Sequence, residues 1–135
     1  MLHMPRITLL VASLHVMLFL LLSLRVVLHR RSQKIGVGTG GDPALARKVR
    51  VHANFAEYVP LALLLLGLLE VVGSPSILIW VCASALLLGR VLHAAGLGRS
   101  AGYSFGRFTG TVLTWGVLLV MAVAGLCRFW LEASL

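Results

Sequence analysis

The sequence predicts an all-α membrane protein, a four-transmembrane-helix bundle, from three observations. Of the 135 residues, 59% are hydrophobic and 12% are charged, whereas soluble domains carry about 25% charged residues. The mean hydropathy of +0.99 suits a chain whose surface faces lipid. The apolar residues also form four segments long enough to cross a bilayer. We expect one domain over residues 1–135, with spans at about 7–27, 55–72, 76–95 and 107–130.

The positive charge lies between the apolar segments. The net charge is +8, and most Lys and Arg residues fall in the gaps after spans one and three. The positive-inside rule therefore places these two loops in the cytoplasm and both termini outside. A nucleic-acid partner is not expected, because the cations follow membrane topology rather than one continuous patch. Membrane lipids are the expected surroundings.

The first two helices have recognisable limits. An uncharged run without a small-residue cleavage pattern indicates that the first span is retained and is not a signal peptide. A flexible loop rich in basic residues and glycine is expected over residues 28–41. Asp42 and Pro43 then mark a helix start, because Asp caps free amides and Pro at the first helical position sacrifices no hydrogen bond. Gly73 is the expected stop of this second helix.

The limits of the last two helices are predicted from the same kinds of residues. Ser74 and Pro75 precede a third helix that is expected to run to about residue 95, with Gly96 as its stop. The turn between helices two and three is short, so these two helices should be antiparallel neighbours. A loop over residues 96–104 leads to a fourth helix, expected from near Ser104 to near Leu131.

The second helix carries a polar stripe. With a helical step of 100°, five of its residues fall within about 80° of one another: Arg47, Arg50, Asn54, Glu57 and Leu61. Unpaired charge is costly in lipid, so the stripe should face other helices or a wet cavity. Glu57 needs a partner, and Arg90 in the third segment is the expected one, with Arg50 also in reach. Such an ion pair either fixes helix packing or serves function, and both readings stay open.

Several other polar residues lie in or near the spans. His15 is expected to be a neutral histidine packed against another helix, although intramembrane ionisable groups also have functional roles. Glu70 is expected to be a solvated carboxylate at the outer end of the second helix. Pro60 should kink that helix and free a carbonyl. Tyr58 flanks the stripe and can offer its hydroxyl to it, whereas His52 points away.

A second polar cluster follows on helices three and four. Arg90 and His93 are one turn apart and share a face, and Arg107 adds its charge to the positive N-terminus of helix four. Together with the stripe they form an arginine-rich pocket with one carboxylate, one amide and one phenol. Arginine pairs with carboxylates, and it stabilises a nearby thiolate. A small zwitterion with several carboxylates fits this pocket, and no metal-ligand spacing is visible.

The pattern Arg50-x-x-x-Asn54-x-x-Glu57-Tyr58-x-Pro60 resembles the helix-two signature of the MAPEG family, the membrane-associated proteins in eicosanoid and glutathione metabolism. The form Arg-x-His-x-Asn-Phe-x-Glu-Tyr-x-Pro, followed by Gly-Arg-x-Leu-His, is similar to the small bacterial members. The resemblance covers nearly the whole chain and is strongest at residues 47–70 and 89–110.

The resemblance implies a homotrimer in the bacterial inner membrane that holds glutathione, as co-substrate, between subunits near the cytoplasmic face. It implies a glutathione transferase or peroxidase that acts on lipophilic electrophiles. The implied glutathione-binding residues lie on helices two and three: Arg50, Asn54, Glu57, Tyr58, Arg90 and His93. Arg107 corresponds to the catalytic arginine that stabilises the thiolate.

The sequence also departs from the family pattern. Members that form leukotrienes and prostaglandins carry tyrosines near the end of helix three, where this chain has His93 and Leu97. A non-catalytic membrane protein of the same fold, with or without a ligand pocket, is therefore the alternative. A small transporter is less favoured, because such proteins need a membrane-embedded acid for coupling and the first span has none.

Overall fold

The computed structural model describes residues 4–99 and 104–133. Four α-helices make up the fold: α1 (Arg6–Ser32), α2 (Pro43–Val71), α3 (Ser76–Arg99) and α4 (Phe105–Ala133). Each is long and apolar enough to cross a membrane. The described ranges contain no strand. The predicted all-α class with four spanning helices is confirmed.

The helices α2 and α3 occupy the centre of the arrangement, because each of them contacts all three of the other helices. The most extensive helix–helix contacts join α3 to α4 and α1 to α2. The main apolar core joins α2, α3 and α4 through side chains with no exposed surface: Leu66, Ile79, Leu86 and Met121. A second core cluster lies nearer the start of α2 and includes Leu22, Val51 and Phe55.

The first helix is longer than predicted. It continues to Ser32, beyond the expected limit at residue 27, and its last turn contains His29, Arg30 and Arg31. The charge of these residues signalled the end of the apolar run and not the end of the helix. Basic side chains are favourable in a last helical turn, because they complement the negative end of the helix dipole.

A polar cluster joins the end of α1 to the start of α2. Asp42 caps α2, as predicted, and its Oδ1 accepts from the amides of Ala44 at 2.7 Å and Leu45 at 3.2 Å. His29 Nε2 donates to Asp42 Oδ2 over 2.6 Å, and Lys48 Nζ donates to His29 Nδ1 over 2.7 Å. The hydrogen bond from His29 and then that from the Ala44 amide lower the pKa of Asp42 below its ordinary value of 3.8. The carboxylate therefore keeps its charge, and the cap persists, to more acidic pH than for a free Asp.

The helix α2 ends at a glycine, as predicted. Gly73 has a φ of 75°, a conformation that suits glycine. Its N–H donates to the Glu70 carbonyl, and the Ser74 N–H donates to the Leu69 carbonyl, each over 3.0 Å. These two bonds form a Schellman motif, which satisfies carbonyls that the helix end leaves open. Arg128 of α4 adds a bond of 2.6 Å to the Gly73 carbonyl.

The prediction that Gly96 stops α3 was wrong, because the helix continues to Arg99. Gly96 instead lets two backbones approach: a Cβ atom there would collide with the backbone nitrogen of Arg107 on α4. Gly110 has the same role further along, since its Cβ would collide with the Gly89 carbonyl oxygen. Small residues permit such close contact between membrane helices, where dispersion and polar contacts replace the hydrophobic driving force.

The prediction of a solvated Glu70 was also wrong. Only 9% of this residue is exposed, and its two carboxylate oxygens accept from the amides of Ile7 at 2.9 Å and Thr8 at 2.7 Å. The α1 N-cap residue, Pro5, makes no side-chain capping bond. The free amides at a helix start need an acceptor, and Glu70 of α2 provides it from another helix.

The α3–α4 contact can be tested with two glycines of α4. Gly110→Ala places a methyl group against backbone atoms of Gly89 and His93, whereas a methyl at Gly116 meets nothing within 4 Å. We expect Gly110→Ala to destabilise the protein by about 1–3 kcal/mol through overpacking. Gly116→Ala should be neutral, or stabilising by up to about 1 kcal/mol through helix propensity. Thermal unfolding in detergent compares the two variants, and equal shifts would contradict close packing at Gly110.

If Glu70 caps α1, the loss of stability should increase with the number of acceptor oxygens that a substitution removes. Glu70→Ala leaves the Ile7 and Thr8 amides without their acceptor, at a cost of about 1–3 kcal/mol. Glu70→Gln keeps one oxygen acceptor and should lose less. Hydrogen exchange of the amides at the start of α1 should accelerate in the same order. Protection that is unchanged in Glu70→Ala would show that Glu70 does not cap α1.

Candidate functional site

Three predicted site residues meet at a buried guanidinium. Arg90 of α3 is only 2% exposed. Its Nη2 donates to Asn54 Oδ1 over 2.5 Å, and its Cζ lies 5.9 Å from the centre of the Tyr58 ring. The α2 stripe therefore turns one edge toward α3, and a cation lies over the face of the phenol ring.

A fourth residue, which the sequence analysis missed, completes this cluster. Arg90 Nη1 donates to Thr114 Oγ1 of α4 over 3.2 Å, and that hydroxyl donates to the Gly110 carbonyl over 2.7 Å. The bond to Gly110 uses the hydroxyl proton, which leaves an oxygen lone pair for Arg90. The available signal was a threonine in the middle of an apolar helix, one turn after a glycine.

The Arg90 cluster holds a charge that the described residues do not neutralise. The acceptors of Arg90 are an amide and a hydroxyl, and none of the carboxylates whose side chains the structure describes, those of Asp42, Glu57 and Glu70, forms an ion pair with it. Its Nε is buried and has no hydrogen-bond partner within these ranges. Burying a cation is costly without compensation, so this end of the bundle is strongly attractive to anions.

The expected pairing of Glu57 with Arg90 was wrong. Glu57 instead accepts from Arg50 Nη1 over 3.1 Å, along the same face of α2. Three residues on a helix correspond to a rotation of about 60°, which turns Asn54 toward α3 and leaves Glu57 on the outer edge of the stripe. The polar stripe is therefore divided between a buried edge and an exposed edge.

The exposed edge is unusual for a membrane-spanning helix. The side chains of Arg50 and Glu57 are 61% and 49% exposed, although both residues belong to a helix long and apolar enough to span. Lipid does not solvate such a pair, and ionisable groups in membrane helices normally face a protein interior or a wet cavity. Headgroups and water can solvate Arg50, which precedes the predicted span at 55–72, whereas Glu57 lies inside that span. The surface beside Glu57 is therefore expected to face protein, a polar ligand or a wet cavity.

His93 and Arg107 complete the predicted set in different environments. His93 is 4% exposed and lies against Gly110 at the α3–α4 crossing. It is within electrostatic range of three guanidinium groups, those of Arg50, Arg90 and Arg107. Arg107 itself is exposed in the first turn of α4, where its amide donates to Ser104 Oγ over 3.3 Å. This bond is consistent with the predicted helix start near Ser104.

The arrangement gathers three arginines and one carboxylate at the end of the bundle where α2 begins. Arg90 is held inside, and Arg50, Glu57 and Arg107 present charge at the surface. Arginines bind carboxylates by charge-assisted hydrogen bonds. The Glu57 carboxylate accepts one bond from Arg50 and keeps further lone pairs that can accept from an ammonium group. The site therefore suits a ligand that carries both charges, with an excess of negative charge.

Comparison with known proteins places this geometry in context. The model described as the MAPEG family matches residues 8–127, a region that contains all the predicted site residues. Two relatives from Escherichia coli strains K12 and CFT073, each described as inner membrane protein YecN, are 32% identical to this chain over 115 residues. The match covers 85% of this chain and 86% of each relative.

The Arg90 cluster can be tested with two threonines of α4. The Thr114 and Thr111 hydroxyls both donate to the carbonyl four residues earlier, but only Thr114 accepts from Arg90. We expect Thr114→Val to destabilise the protein by about 1.5–3 kcal/mol, because it removes an acceptor from a buried charge. Thr111→Val should cost less than about 1 kcal/mol. Detergent unfolding measures both, and equal losses would contradict a structural Arg90–Thr114 bond.

Proposed function

Because this chain belongs to the MAPEG family, we propose that it is a glutathione-dependent transferase or peroxidase that acts on lipophilic electrophiles. We further propose that it is an integral protein of the bacterial inner membrane. Four membrane-length helices support this location, as does the description of the Escherichia coli relatives as inner membrane proteins.

The observation that carries the proposal is the exposed ion pair of Arg50 and Glu57 on a membrane-spanning helix. Glutathione has two carboxylates, one ammonium group and a thiol. Arg50 binds a carboxylate in the proposal, and Glu57 binds the ammonium group. The excess of arginine over carboxylate at this end of the bundle matches the net negative charge of the tripeptide.

The remaining predicted residues have distinct roles in the proposal. Asn54 and Tyr58 border the ligand, and Arg90 holds both in place through the contacts described above. His93 packs behind them with most of its surface buried. Arg107, exposed at the positive N-terminus of α4, stabilises the ligand as a thiolate. The thiolate is the reactive nucleophile toward an electrophile that enters from the lipid.

The proposal includes a homotrimer with glutathione between neighbouring subunits. A single subunit leaves Arg50 and Glu57 facing outward, and a second copy beside α2 would shield this pair from lipid. The loops after α1 and α3 lie in the cytoplasm in the proposal, and both termini lie outside. Lys and Arg are concentrated at the helix ends that flank these two loops, which supports that orientation.

One observation favours a second candidate, a ligand-binding membrane protein without turnover. His93 and Leu97 occupy the positions where the eicosanoid-forming members carry tyrosines, and they are only 4% and 6% exposed. The end of α3 therefore offers no phenol to a substrate. The two candidates differ in one measurable property, the consumption of glutathione in the presence of an electrophile.

Calorimetry with purified protein in detergent tests glutathione binding. Arg50→Ala should weaken binding by about tenfold or more, because a charged hydrogen bond contributes about 1.5–3 kcal/mol. Arg6→Ala is the control, since it removes the same charge from an exposed position in the first turn of α1, at the opposite end of the bundle. If the wild-type protein binds no glutathione, the proposal fails.

Turnover with an aryl halide then separates the two candidates. We expect Arg107→Leu to lower kcat more than it weakens glutathione binding, because the arginine acts on the thiolate. A shift of the thiolate absorbance to higher pH in this variant would support that role. Glutathione binding without turnover in the wild-type protein would favour the non-catalytic candidate.

A further inference from the structure

Two cations line a notch between α1 and α2, and neither belongs to the arginine-rich site described above. Arg25 of α1 and Lys48 of α2 form its rim, and Leu22 and Val51 form its floor. Both floor residues are only 3% exposed. The notch is shallow, with about 10 Å³ of free space, which is enough for one oxygen atom of a ligand. The rest of such a ligand must lie outside the notch, on the surface of the two helices.

The ammonium group of Lys48 is held in a fixed direction. His29 Nε2 lies 2.6 Å from Asp42 Oδ2, and a carboxylate oxygen can only accept, so Nε2 carries the proton of the neutral ring. His29 Nδ1 therefore accepts from Lys48 Nζ over 2.7 Å. An ammonium group has three N–H donors, so two of them remain for a ligand. Donors that are already ordered bind a ligand more tightly, because less side-chain entropy is lost on binding.

The carboxylate of Asp42 does not satisfy the two cations of the notch. Its Oδ1 accepts from two backbone amides, and its Oδ2 accepts from His29. Arg25 is exposed and forms no ion pair with the carboxylates whose side chains the structure describes, those of Asp42, Glu57 and Glu70. The notch therefore presents two positive charges to a ligand, which favours an anion.

The depth of Arg25 in the membrane indicates the kind of anion. The run from Ile7 to Leu24 contains no Lys, Arg, Asp or Glu, and it spans about 27 Å at about 1.5 Å per residue. The hydrocarbon core of a bilayer is about 30 Å thick. Arg25 therefore lies where the hydrocarbon ends and the phosphate groups of the lipids begin.

The face of α1 that carries Arg25 continues into the membrane as an apolar surface. Leu14, Leu18 and Leu21 precede Arg25 by eleven, seven and four residues, which is the spacing of one helix face. Leu14 and Leu21 are 44% and 54% exposed. A ligand with an anionic oxygen at the notch can therefore place a hydrocarbon chain against this face.

We propose that the notch binds the phosphate group of an anionic phospholipid in the leaflet beside the α1–α2 loop. One phosphate oxygen enters the notch and accepts from Lys48 and Arg25, and an acyl chain lies along Leu21 and Leu14. Basic pockets between membrane helices bind anionic headgroups in this way. Choline and ethanolamine headgroups carry an ammonium group that the two cations repel, so a lipid with net negative charge is favoured. The site does not depend on glutathione.

Native mass spectrometry of the full-length chain in detergent tests the proposal, because it measures the affinity for the first lipid bound. Phosphatidylglycerol is compared with phosphatidylcholine that has the same acyl chains. We expect phosphatidylglycerol to bind at least about fivefold more tightly, since choline brings one positive charge toward the two cations. Equal affinities would overturn the proposal.

Matched substitutions separate a site from the general attraction of basic helix ends for anionic lipids. Arg25→Gln and Lys48→Gln each remove one cation of the notch and should weaken phosphatidylglycerol binding by about tenfold. Arg31→Gln removes the same charge from an exposed position of α1 that does not line the notch. It should weaken binding by less than about twofold at physiological salt. Equal losses in Arg25→Gln and Arg31→Gln would show general attraction only and would overturn the proposal.

Free phosphate is the competing source of the same anionic oxygen atoms. Inorganic phosphate and glycerol phosphate, which have no acyl chain, are added to the protein with bound phosphatidylglycerol. We expect neither to displace the lipid at equal concentration, because they gain no contact with the apolar face of α1. Displacement by either at equal concentration would overturn the assignment of a lipid to the notch.

Discussion

A full positive charge lies inside this bundle, and the positions of three helices follow from the need to hold it. Arg90 of α3 reaches Asn54 on α2 and Thr114 on α4, with the Tyr58 ring beside it. Neither acceptor reaches the guanidinium if its helix rotates by a quarter turn. The charge therefore specifies the rotation of α2 and α4 about their axes, which apolar packing alone leaves less defined.

Polar contacts also fasten the two ends of the bundle. At one end, Asp42 caps α2 and binds His29 of α1. At the other, Glu70 caps α1, and Arg128 binds the turn after α2. Between these ends the contacts are mainly apolar apart from the Arg90 cluster and the bond between Ser23 and His52, with glycines where α3 meets α4. In lipid there is no hydrophobic gain from joining two apolar helices, so polar contacts and close packing determine the register.

The sequence predicted the features that depend on neighbouring residues. The four helices, the Asp42 cap and the Gly73 stop follow from local chemistry, and the structure confirms each of them. The polar stripe followed from helical geometry. The sequence did not show which edge of the stripe is buried and which is exposed, because that depends on where α3 and α4 lie.

The features that the sequence did not predict depend on residues far apart in the chain. The signal that Gly96 gave was ambiguous, since glycine suits both a helix end and a close contact between helices. The partner of Glu57 was misassigned because Thr114, whose place beside Arg90 depends on the packing of α4, was not considered. Because Glu70 lies near the end of α2, the sequence analysis predicted that it is solvated. It is buried because the start of α1 packs beside it.

The cap that Glu70 provides has a consequence for biosynthesis. The amide of Ile7 leaves the ribosome 63 residues before the carboxylate that receives it. Until α2 has crossed the membrane, the first turn of α1 relies on water or lipid headgroups for its hydrogen bonds. The first helix is therefore complete only as half of an inserted hairpin. A translocon that releases α1 and α2 together would never expose those amides to hydrocarbon.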